Sequence, residues 1–506
     1  MSNAVSAARR PYVVASIMLA NFMVAIEATI VATAMPHIVG DLGGFTYYSW
    51  VFSAFLLTQS ATTVIYGKLA DVFGRKPVLV GGIVLFLIGS LLCGLANSMT
   101  ALIACRLLQG MGAGAIQPVT MTIVGDLYTL EERAKVQGVM SSVWAISAVV
   151  GPLAGALIVD HLPWAFIFWI NLPVGLLTVL GFLSFLDEKI EHRKARIDYL
   201  GSILFSVAII ALLVLLTETE AGAPVLAGLA ALFLVASGLF LLQERRAPEP
   251  IISIALWAKR LVATSNAATL FAGMAMIGMT TVLPLYVTGV MGRSTVVAGL
   301  TLTALVVSWP LATMLAARLF RLFGIRRTLR IGGLLVPLGA VFLLFMTPGS
   351  DPLLPGFGAF LMGSGMGLIS LTTVALVQDS VDWSMRGSVT GSIMFARSLG
   401  STLGATVLGS VLNFGIAYFG TGALATSVHD VLNRPDGLAG LADNAAARLV
   451  FDQSLHWTFF GLVAMAVLTA AFTWMVPIRR DYAGMIPTAK AVPGAVVPVG
   501  DIEVEP

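Results

Sequence analysis

Three charged side chains lie well inside long, mostly apolar stretches of the sequence. They are Glu27, Arg106 and Arg397. A charge in a hydrocarbon environment is costly unless it is paired, neutralised or faces a water-filled space. A carboxylate in such a place can bind a proton or a cation, and a guanidinium can bind an anion. These residues are therefore the first candidates for chemistry.

The composition identifies the environment of these residues. Of 506 residues, 58% are hydrophobic and 11% are charged, whereas soluble domains carry roughly 25% charged residues. Folded in water, the chain would expose far more apolar surface than a soluble monomer tolerates. We therefore expect an all-α integral membrane protein, with lipid as its solvent.

Charge and cysteine content exclude other classes. A net charge of +3, with basic residues scattered in short loops, gives nucleic-acid binding no support. The two cysteines, Cys93 and Cys105, both lie in apolar stretches, which excludes a disulfide framework and a thiolate metal site. The sequence carries no phosphate-binding Gly-x-x-x-x-Gly-Lys-Ser/Thr loop. We expect neither a metal nor a cofactor.

Apolar stretches of about 20 residues, long enough to cross a bilayer, recur along the chain. With the amino terminus inside, 24 of the 29 Lys and Arg residues fall on the cytoplasmic side, as topology rules require. Both termini are therefore predicted to be cytoplasmic. The stretches predict fourteen spans, at 12–35, 48–67, 77–97, 100–123, 136–160, 164–186, 197–216, 224–242, 261–290, 296–318, 328–347, 353–377, 388–417 and 455–477.

Glu27 and Arg106 lie at matching depths in this topology, about 12 Å and about 9 Å from the external ends of their helices. Desolvation favours the protonated carboxyl and a nearby Arg106 favours the carboxylate, so substrate arrival or departure can shift the balance. We predict that Glu27 binds a proton and a cationic substrate in alternation. A permanent structural pair of Glu27 with Arg106 is the alternative.

Arg397 lies roughly 15 Å from the cytoplasmic side, so we expect it to face a cavity or a partner. An anionic group on a substrate is one candidate partner, and a structural role in which carbonyls cap the guanidinium is the other. Six amide side chains in the apolar stretches are further candidates for the cavity lining: Asn21, Gln59, Gln109, Gln117, Asn171 and Asn266.

An internal repeat divides the chain. Segment 126–138 returns as 379–391, with matching positions 253 residues apart, and segment 67–76 returns more weakly as 317–326, offset by 250. Both copies begin in the cytoplasm, so they predict two parallel six-helix repeats related by an axis along the membrane normal. The predicted division is an N-terminal half at 1–190, two inserted helices with linkers at 191–258, a C-terminal half at 259–480 and a disordered cytoplasmic tail at 481–506.

Three motifs occur in register along the chain: Gly67-x-Leu-Ala-Asp71-x-x-Gly74-Arg75-Lys76 after helix 2, Arg106-Leu-Leu-Gln109-Gly110-Met-Gly112 in helix 4, and Gly138, Gly151, Pro152 and Gly155 in helix 5. They resemble the signatures of the major facilitator superfamily, and with fourteen spans they resemble its drug:proton antiporters. Ser147 and Ala156 stand where the helix 5 pattern has glycine, and Glu27 stands where the family usually has aspartate.

The loop motif predicts a cytoplasmic latch. Gly67 and Gly74 permit a tight turn, Asp71 can lie at the start of a helix of the other half, and Arg75 can reach Asp126. The latch residues are Gly67, Asp71, Gly74, Arg75, Asp126 and Arg133. The alternative is that these charges only set the membrane topology, and for Lys68 and Lys76 this alternative stays open.

The resemblance implies a transporter rather than an enzyme. It implies export of small amphipathic compounds by a monomer in the cytoplasmic (inner) membrane, with the proton gradient as the energy source. In the resembled antiporters the helix 5 residues seal the central cavity against leak. A dedicated exporter of one metabolite, lipid or siderophore is the alternative, and a non-transporting membrane receptor is a further one.

Overall fold

The computed structural model describes residues 8–43, 47–188, 198–217, 222–247, 254–420 and 445–477. These parts of the chain are helical and contain no strand. The α-helices are α1 (Arg10–Leu42), α2 (Tyr48–Phe73), α3 (Arg75–Gly94), α4 (Met99–Leu127), α5 (Leu130–His161), α6 (Phe166–Trp169), α7 (Asn171–Phe185), α8 (Tyr199–Thr217), α9 (Ala223–Arg246), α10 (Ile254–Ala258), α11 (Arg260–Leu285), α12 (Thr295–Val341), α13 (Leu353–Asp379), α14 (Arg386–Phe419) and α15 (Ala445–Met475).

Eleven helical runs of the described chain are long and apolar enough to cross a membrane. In a bilayer the backbone must satisfy its own hydrogen bonds, which helices do. The predicted all-α, multi-pass membrane class is therefore confirmed. The predicted tail at 481–506, and the linker segments 189–197 and 248–253 beside the inserted helices, lie outside the described residues.

Two glycines with the same backbone conformation make the short turns of the fold. Gly74 has φ 95° and ψ 158° between α2 and α3, and Gly324 has φ 77° and ψ 159° within the long helix α12. Residues with a Cβ rarely adopt this conformation. The two positions are 250 residues apart, the same offset that relates 67–76 to 317–326.

One predicted turn residue is placed differently. Gly67 was expected to lie in the turn with Gly74, and this is wrong because α2 continues to Phe73. The turn needs only one residue with positive φ. Gly67 instead lies where α2 crosses α14, and a Cβ built on it would lie 3.1 Å from the carbonyl carbon of Gly387. Its small size serves helix packing.

Close helix packing also recurs with the repeat offsets. A Cβ built on Gly112 of α4 would lie 2.6 Å from the carbonyl oxygen of Gly82 in α3, and a Cβ built on Gly365 of α13 would lie 2.6 Å from the carbonyl oxygen of Gly332 in α12. Small residues let membrane helices approach closely. The α3–α4 contact and the α12–α13 contact are thus built alike.

The predicted inserted helices correspond to α8 and α9, which pack on the outside of the bundle. Phe205 of α8 contacts Phe240 of α9 and Phe395 of α14, with ring centroids 5.4 Å apart in both pairs. Leu57 and Val64 of α2 belong to the same apolar cluster. The helix pair therefore covers the line along which α2 meets α14.

Candidate functional site

Glu27 of α1 is fully buried and is bound on both carboxylate oxygens. Its Oε1 forms an ion pair with Nη1 of Arg106 from α4, and its Oε2 accepts a hydrogen bond of 2.6 Å from Nδ2 of Asn171 in α7. A buried carboxylate requires this kind of compensation. The structure thus brings together three of the residues singled out from the sequence.

Arg106 is held from several sides. Its Nε donates to the carbonyl of Val51 in α2 (3.0 Å), and Nη1 also donates to Oε1 of Gln109 (2.7 Å). The guanidinium carbon lies 4.3 Å from the ring centroid of Phe55, a favourable cation–π distance. The rigid planar fork of arginine suits this set of partners.

A serine that the sequence reasoning missed completes the cluster. Ser90 of α3 accepts a hydrogen bond from Nε2 of Gln109 (2.7 Å), and Nδ2 of Asn171 lies 3.4 Å from the same oxygen. Ser90 is fully buried. In the sequence it is recognisable only as a polar residue inside an apolar stretch. We call Glu27, Arg106, Gln109, Asn171 and Ser90 the buried acid cluster. Its members all come from the first seven helices.

Asp71, near the end of α2, caps the N-terminus of α14. Its Oδ1 accepts from the backbone N–H of Gly387 (2.8 Å), and Oδ2 accepts from the backbone N–H and the hydroxyl of Ser388, both at 2.7 Å. The free N–H groups and the dipole of a helix N-terminus favour an anion. This contact joins residues 316 and 317 positions apart.

Arg75 lies at the centre of the same end of the bundle and is almost fully buried. It pairs with Asp71 and with Asp126, each at 3.2 Å. Its Nη2 donates to the carbonyl of Trp383 (2.7 Å), and the guanidinium carbon lies 3.7 Å from the Trp383 ring centroid. Arg75 therefore links the α2–α3 turn to α4 and to the segment before α14.

Two further ion pairs cross between the repeat copies. Arg133 pairs with Asp379 at 3.1 Å, and Arg386 pairs with Asp126 at 3.0 Å. The sequence reasoning had selected Asp126 and Arg133, and the signal for the other two was the repeat itself. We call Asp71, Arg75, Asp126, Arg133, Asp379 and Arg386 the cytoplasmic network. Lys76 lies beside it, and its Nζ donates to the Leu183 carbonyl (2.9 Å).

The helix 5 glycines lie in α5, which packs between α1 and α12. A Cβ built on Gly138 would lie 3.2 Å from Cβ of Met314 in α12, and Thr29 of α1 donates to the carbonyl of Ser147 at 3.1 Å. Gly151 lies against Thr29, and Gly155 is buried. The side chain of Pro152 is not among those described. Glycine at 138 permits the close approach of α12, and glycine at 151 permits that of α1.

Arg397 lies in α14 and does not belong to the buried acid cluster. Its Nη2 donates to Oε1 of Gln117 in α4 (3.1 Å) and lies 3.3 Å from Sδ of Met394. The partners described for it are side chains rather than backbone carbonyls. Both Arg397 and Gln117 are partly exposed, and their contact joins α14 to α4.

The remaining predicted lining residues lie apart from one another. Asn21 is buried and donates to the Ile17 carbonyl (2.8 Å), which is a local helix contact. Asn266 of α11 accepts a hydrogen bond from Ser392 of α14 (3.2 Å). Gln59 of α2 is partly exposed. The six predicted amide residues therefore do not form one site.

A second polar cluster, which the sequence reasoning missed, lies near the start of α15. His456 contacts the carbonyl of Met346 through Nε2 (3.0 Å) and the carbonyl of Asp452 through Nδ1 (2.9 Å). The buried Tyr286 ring lies edge-on to it, with centroids 5.6 Å apart. A His four residues after an Asp in the last apolar stretch was the available signal.

Comparison with known families identifies the family of this chain. Residues 17–405 match the family model described as Major Facilitator Superfamily. The chain belongs to the major facilitator superfamily. The resemblance in the loop and helix motifs is thereby confirmed, and the chain is a transporter rather than an enzyme.

Relatives within the superfamily include multidrug transporters. The chain is 33% identical to Multidrug transporter protein MdtP of Bacillus subtilis, over 95% of this chain and 89% of the relative. It is 35% identical to Multidrug resistance protein 3 of the same organism, over 87% of this chain and 85% of the relative. Multidrug resistance protein Stp of Mycobacterium tuberculosis is 31% identical over 78% of this chain and 74% of its own length.

Solved structures of this superfamily share the fold. The human organic anion transporter MFSD10 (TETRAN) matches with a TM-score of 0.60 and 16% identity, over 92% of this chain and all of that one. The proton:xylose symporter XylE matches with a TM-score of 0.60 and 13% identity, over 92% and 95% of the two chains. At these identities the likeness concerns the fold alone.

Proposed function

We propose that this protein is a proton-coupled secondary active exporter of amphipathic drugs or toxic small molecules that works by alternating access. The multidrug relatives support the substrate class. The observation that carries the proposal is the pair of reciprocal ion pairs between the repeat copies, Arg133 with Asp379 and Arg386 with Asp126. Such contacts can hold the cytoplasmic side closed and can be broken without unfolding either half.

The proposed architecture has fourteen spans in two parallel six-helix halves, with α8 and α9 inserted between them. Its support is the eleven apolar helical runs, together with the length of α2 and α5 and the break of α12 at Gly324. The similar turn conformations at Gly74 and Gly324 also support it. Parallel halves hold substrate at their interface and rock about it.

Glu27 is the proposed proton site. It is the acid of a fully buried cluster in a membrane helix, a position that is functional by default. When the bundle opens outward and water reaches the cluster, a proton on Glu27 would release Arg106 from its ion pair. This change is of the kind that biases a two-state transporter. A permanent structural pair remains the alternative, and the experiment below separates the two.

We propose that α5 seals the central space of the bundle against protons. Close packing at Gly138, Gly151 and Gly155, with Pro152 in the same helix, would keep the central space closed to protons while the halves rock. We propose a monomer in the cytoplasmic (inner) membrane with both termini in the cytoplasm. Its partners are the lipid bilayer, protons and small amphipathic substrates, and it needs no nucleic acid or cofactor.

The test is substrate-dependent proton movement in proteoliposomes. Purified protein is reconstituted with a pH-sensitive dye inside, an inward proton gradient is set, and cationic, neutral and anionic amphipathic dyes are followed in turn. We expect wild type to couple dye movement to proton movement and Glu27→Gln to bind dye without coupling. Lys68→Gln, a charge change on the surface of α2, serves as the matched control. Wild-type coupling in Glu27→Gln would exclude the proton role.

Two other functions give different results in the same vesicles. A dedicated exporter of one metabolite, lipid or siderophore would couple protons to a single compound and ignore the dyes. A non-transporting receptor would show no substrate-induced proton movement across a broad panel of compounds. The multidrug names of the relatives favour the broad exporter.

A further inference from the structure

Arg397 lies deep in the bundle and faces the opposite half. It follows the first residue of α14 by eleven positions, which is about 16 Å along the helix. Its side chain is partly exposed, and its guanidinium is bonded to Gln117 of α4. A lipid-facing arginine at this depth would be very costly, and the bond to Gln117 directs the guanidinium toward α4 instead.

Two of the three guanidinium nitrogens have no described protein partner. The hydrogen bonds described for Arg397 use only Nη2, toward Gln117 and Met394. Arginine carries five N–H donors in a planar fork. Nε and Nη1 are each able to donate a charge-assisted hydrogen bond to an anionic group.

The other deep charges of the described chain balance one another. Glu27 and Arg106 form a closed ion pair, and the cytoplasmic network has three carboxylates for three guanidinium groups. None of the ion pairs between described residues includes Arg397. Arg397 is therefore a positive charge without an acidic partner among the described residues, and an anion would stabilise it.

We propose that Arg397 binds the negatively charged group of an amphipathic substrate, and that Gln117 positions the guanidinium for it. The favoured substrate carries one carboxylate or sulfonate on an apolar body. This inference rests on the proposed function and narrows its substrate class. A cation would meet an unfavourable charge at this site, and a neutral compound would leave the guanidinium uncompensated.

The test compares three fluorescent probes that share the dansyl group and differ in charge. They are dansylglycine, a carboxylate, its neutral isostere dansylglycinamide, and the cation dansylcadaverine. Binding to full-length protein is titrated in nanodiscs of zwitterionic phosphatidylcholine, so that lipid charge does not compete. We expect wild type to bind dansylglycine about tenfold more tightly than the amide, and dansylcadaverine most weakly.

Variants test whether the preference for dansylglycine comes from the Arg397 side chain. Arg397→Gln should bind dansylglycine and the amide equally, and Arg397→Lys should keep part of the preference because it keeps the charge but not the fork. Arg330→Gln is the matched control, since it removes a positive charge from α12, where Arg330 lies against Trp474. It should keep the wild-type ratio.

The inference is overturned if wild type binds the amide or the cation as tightly as dansylglycine, or if Arg397→Gln keeps the tenfold ratio. The wild-type comparison needs no variant, so it stands even if Arg397→Gln does not fold. Proton-coupled export of dansylcadaverine without preference for dansylglycine would overturn this inference alone. Tight dansylglycine binding without any proton movement would instead overturn the proposed function and leave the anion site standing.

Discussion

Arg133 binds Asp379 across the two repeat copies at 3.1 Å. The counterpart of this pair, Arg386 with Asp126, has nearly the same length, 3.0 Å. The matching residues of the two copies are 253 positions apart. Each copy therefore contributes one acidic and one basic residue to the two ion pairs between them. The contacts form or break together when the copies move relative to each other.

The reciprocal pairs predict rescue by charge exchange. Arg133→Asp should open the cytoplasmic side, because Asp379 then faces a second carboxylate. We expect a shift of about 1 kcal/mol, or about fivefold in the closed population. Spin labels at Phe73→Cys and Phe323→Cys, both exposed, report the separation of the halves in a background without native cysteines.

Arg133→Asp combined with Asp379→Arg should restore most of the closed population. A double-mutant cycle isolates the coupling of the two residues. If the exchange variant stays as open as the single one, the pair does not hold the halves together.

Asp71→Asn should loosen the start of α14. The substitution removes the negative charge that the Gly387 and Ser388 N–H groups face and weakens the contact to Arg75. We expect about tenfold faster hydrogen exchange in the peptide that covers 386–390, measured by mass spectrometry. Lys68→Gln, three residues earlier on α2, should leave this exchange unchanged. Equal exchange in both variants would contradict the capping role.

Gly324→Ala should destabilise the protein by about 1–2 kcal/mol, because alanine is strained at a φ of 77°. No atom lies within 4 Å of the added methyl group, so the cost reports backbone strain alone. Gly299→Ala is the matched control, since its methyl group is equally unobstructed and its φ is ordinary. Thermal unfolding in detergent should show a loss for the first variant only. Equal unfolding temperatures would rule out the strain.

Arg106→Met should cost about 3–5 kcal/mol, because it leaves Glu27 buried and unpaired. The double variant Glu27→Gln with Arg106→Met should unfold at a higher temperature than Arg106→Met alone, since no uncompensated charge remains. Equilibrium unfolding of the purified variants in mixed micelles gives both values. A double variant less stable than the single one would show that the acid contributes more than its pairing with Arg106.

The sequence predicted the helical membrane class, and it did not predict which charged residues pair. The offset of 253 residues aligned Asp126 with Asp379 and Arg133 with Arg386, yet alignment does not tell which acid each arginine binds. Likewise Gly67 and Gly74 looked equivalent as turn residues. Only Gly74 has a positive φ, whereas Gly67 lies at a helix crossing with Gly387.

The amide residues show the same limit. Asn171 and Gln109 belong to the buried acid cluster around Glu27, and Gln117 accepts a hydrogen bond from Arg397. Asn266 of α11 accepts a hydrogen bond from Ser392 of α14. In the sequence all of them are polar residues in apolar stretches. They differ in the helix face on which each one lies and in the neighbouring helix that this face contacts.

The sequence by itself determined the solvent, the helical class, the repeat and the superfamily motifs, because transfer into lipid depends on local composition and the motifs are contiguous. Only the tertiary structure decided that Glu27 is enclosed by partners from α4 and α7, while Arg397 contacts Gln117 of α4 and has no acidic partner among the described residues. These partners lie 79 and 280 residues away along the chain. Their contacts follow from helix packing, to which small residues at many separate positions contribute.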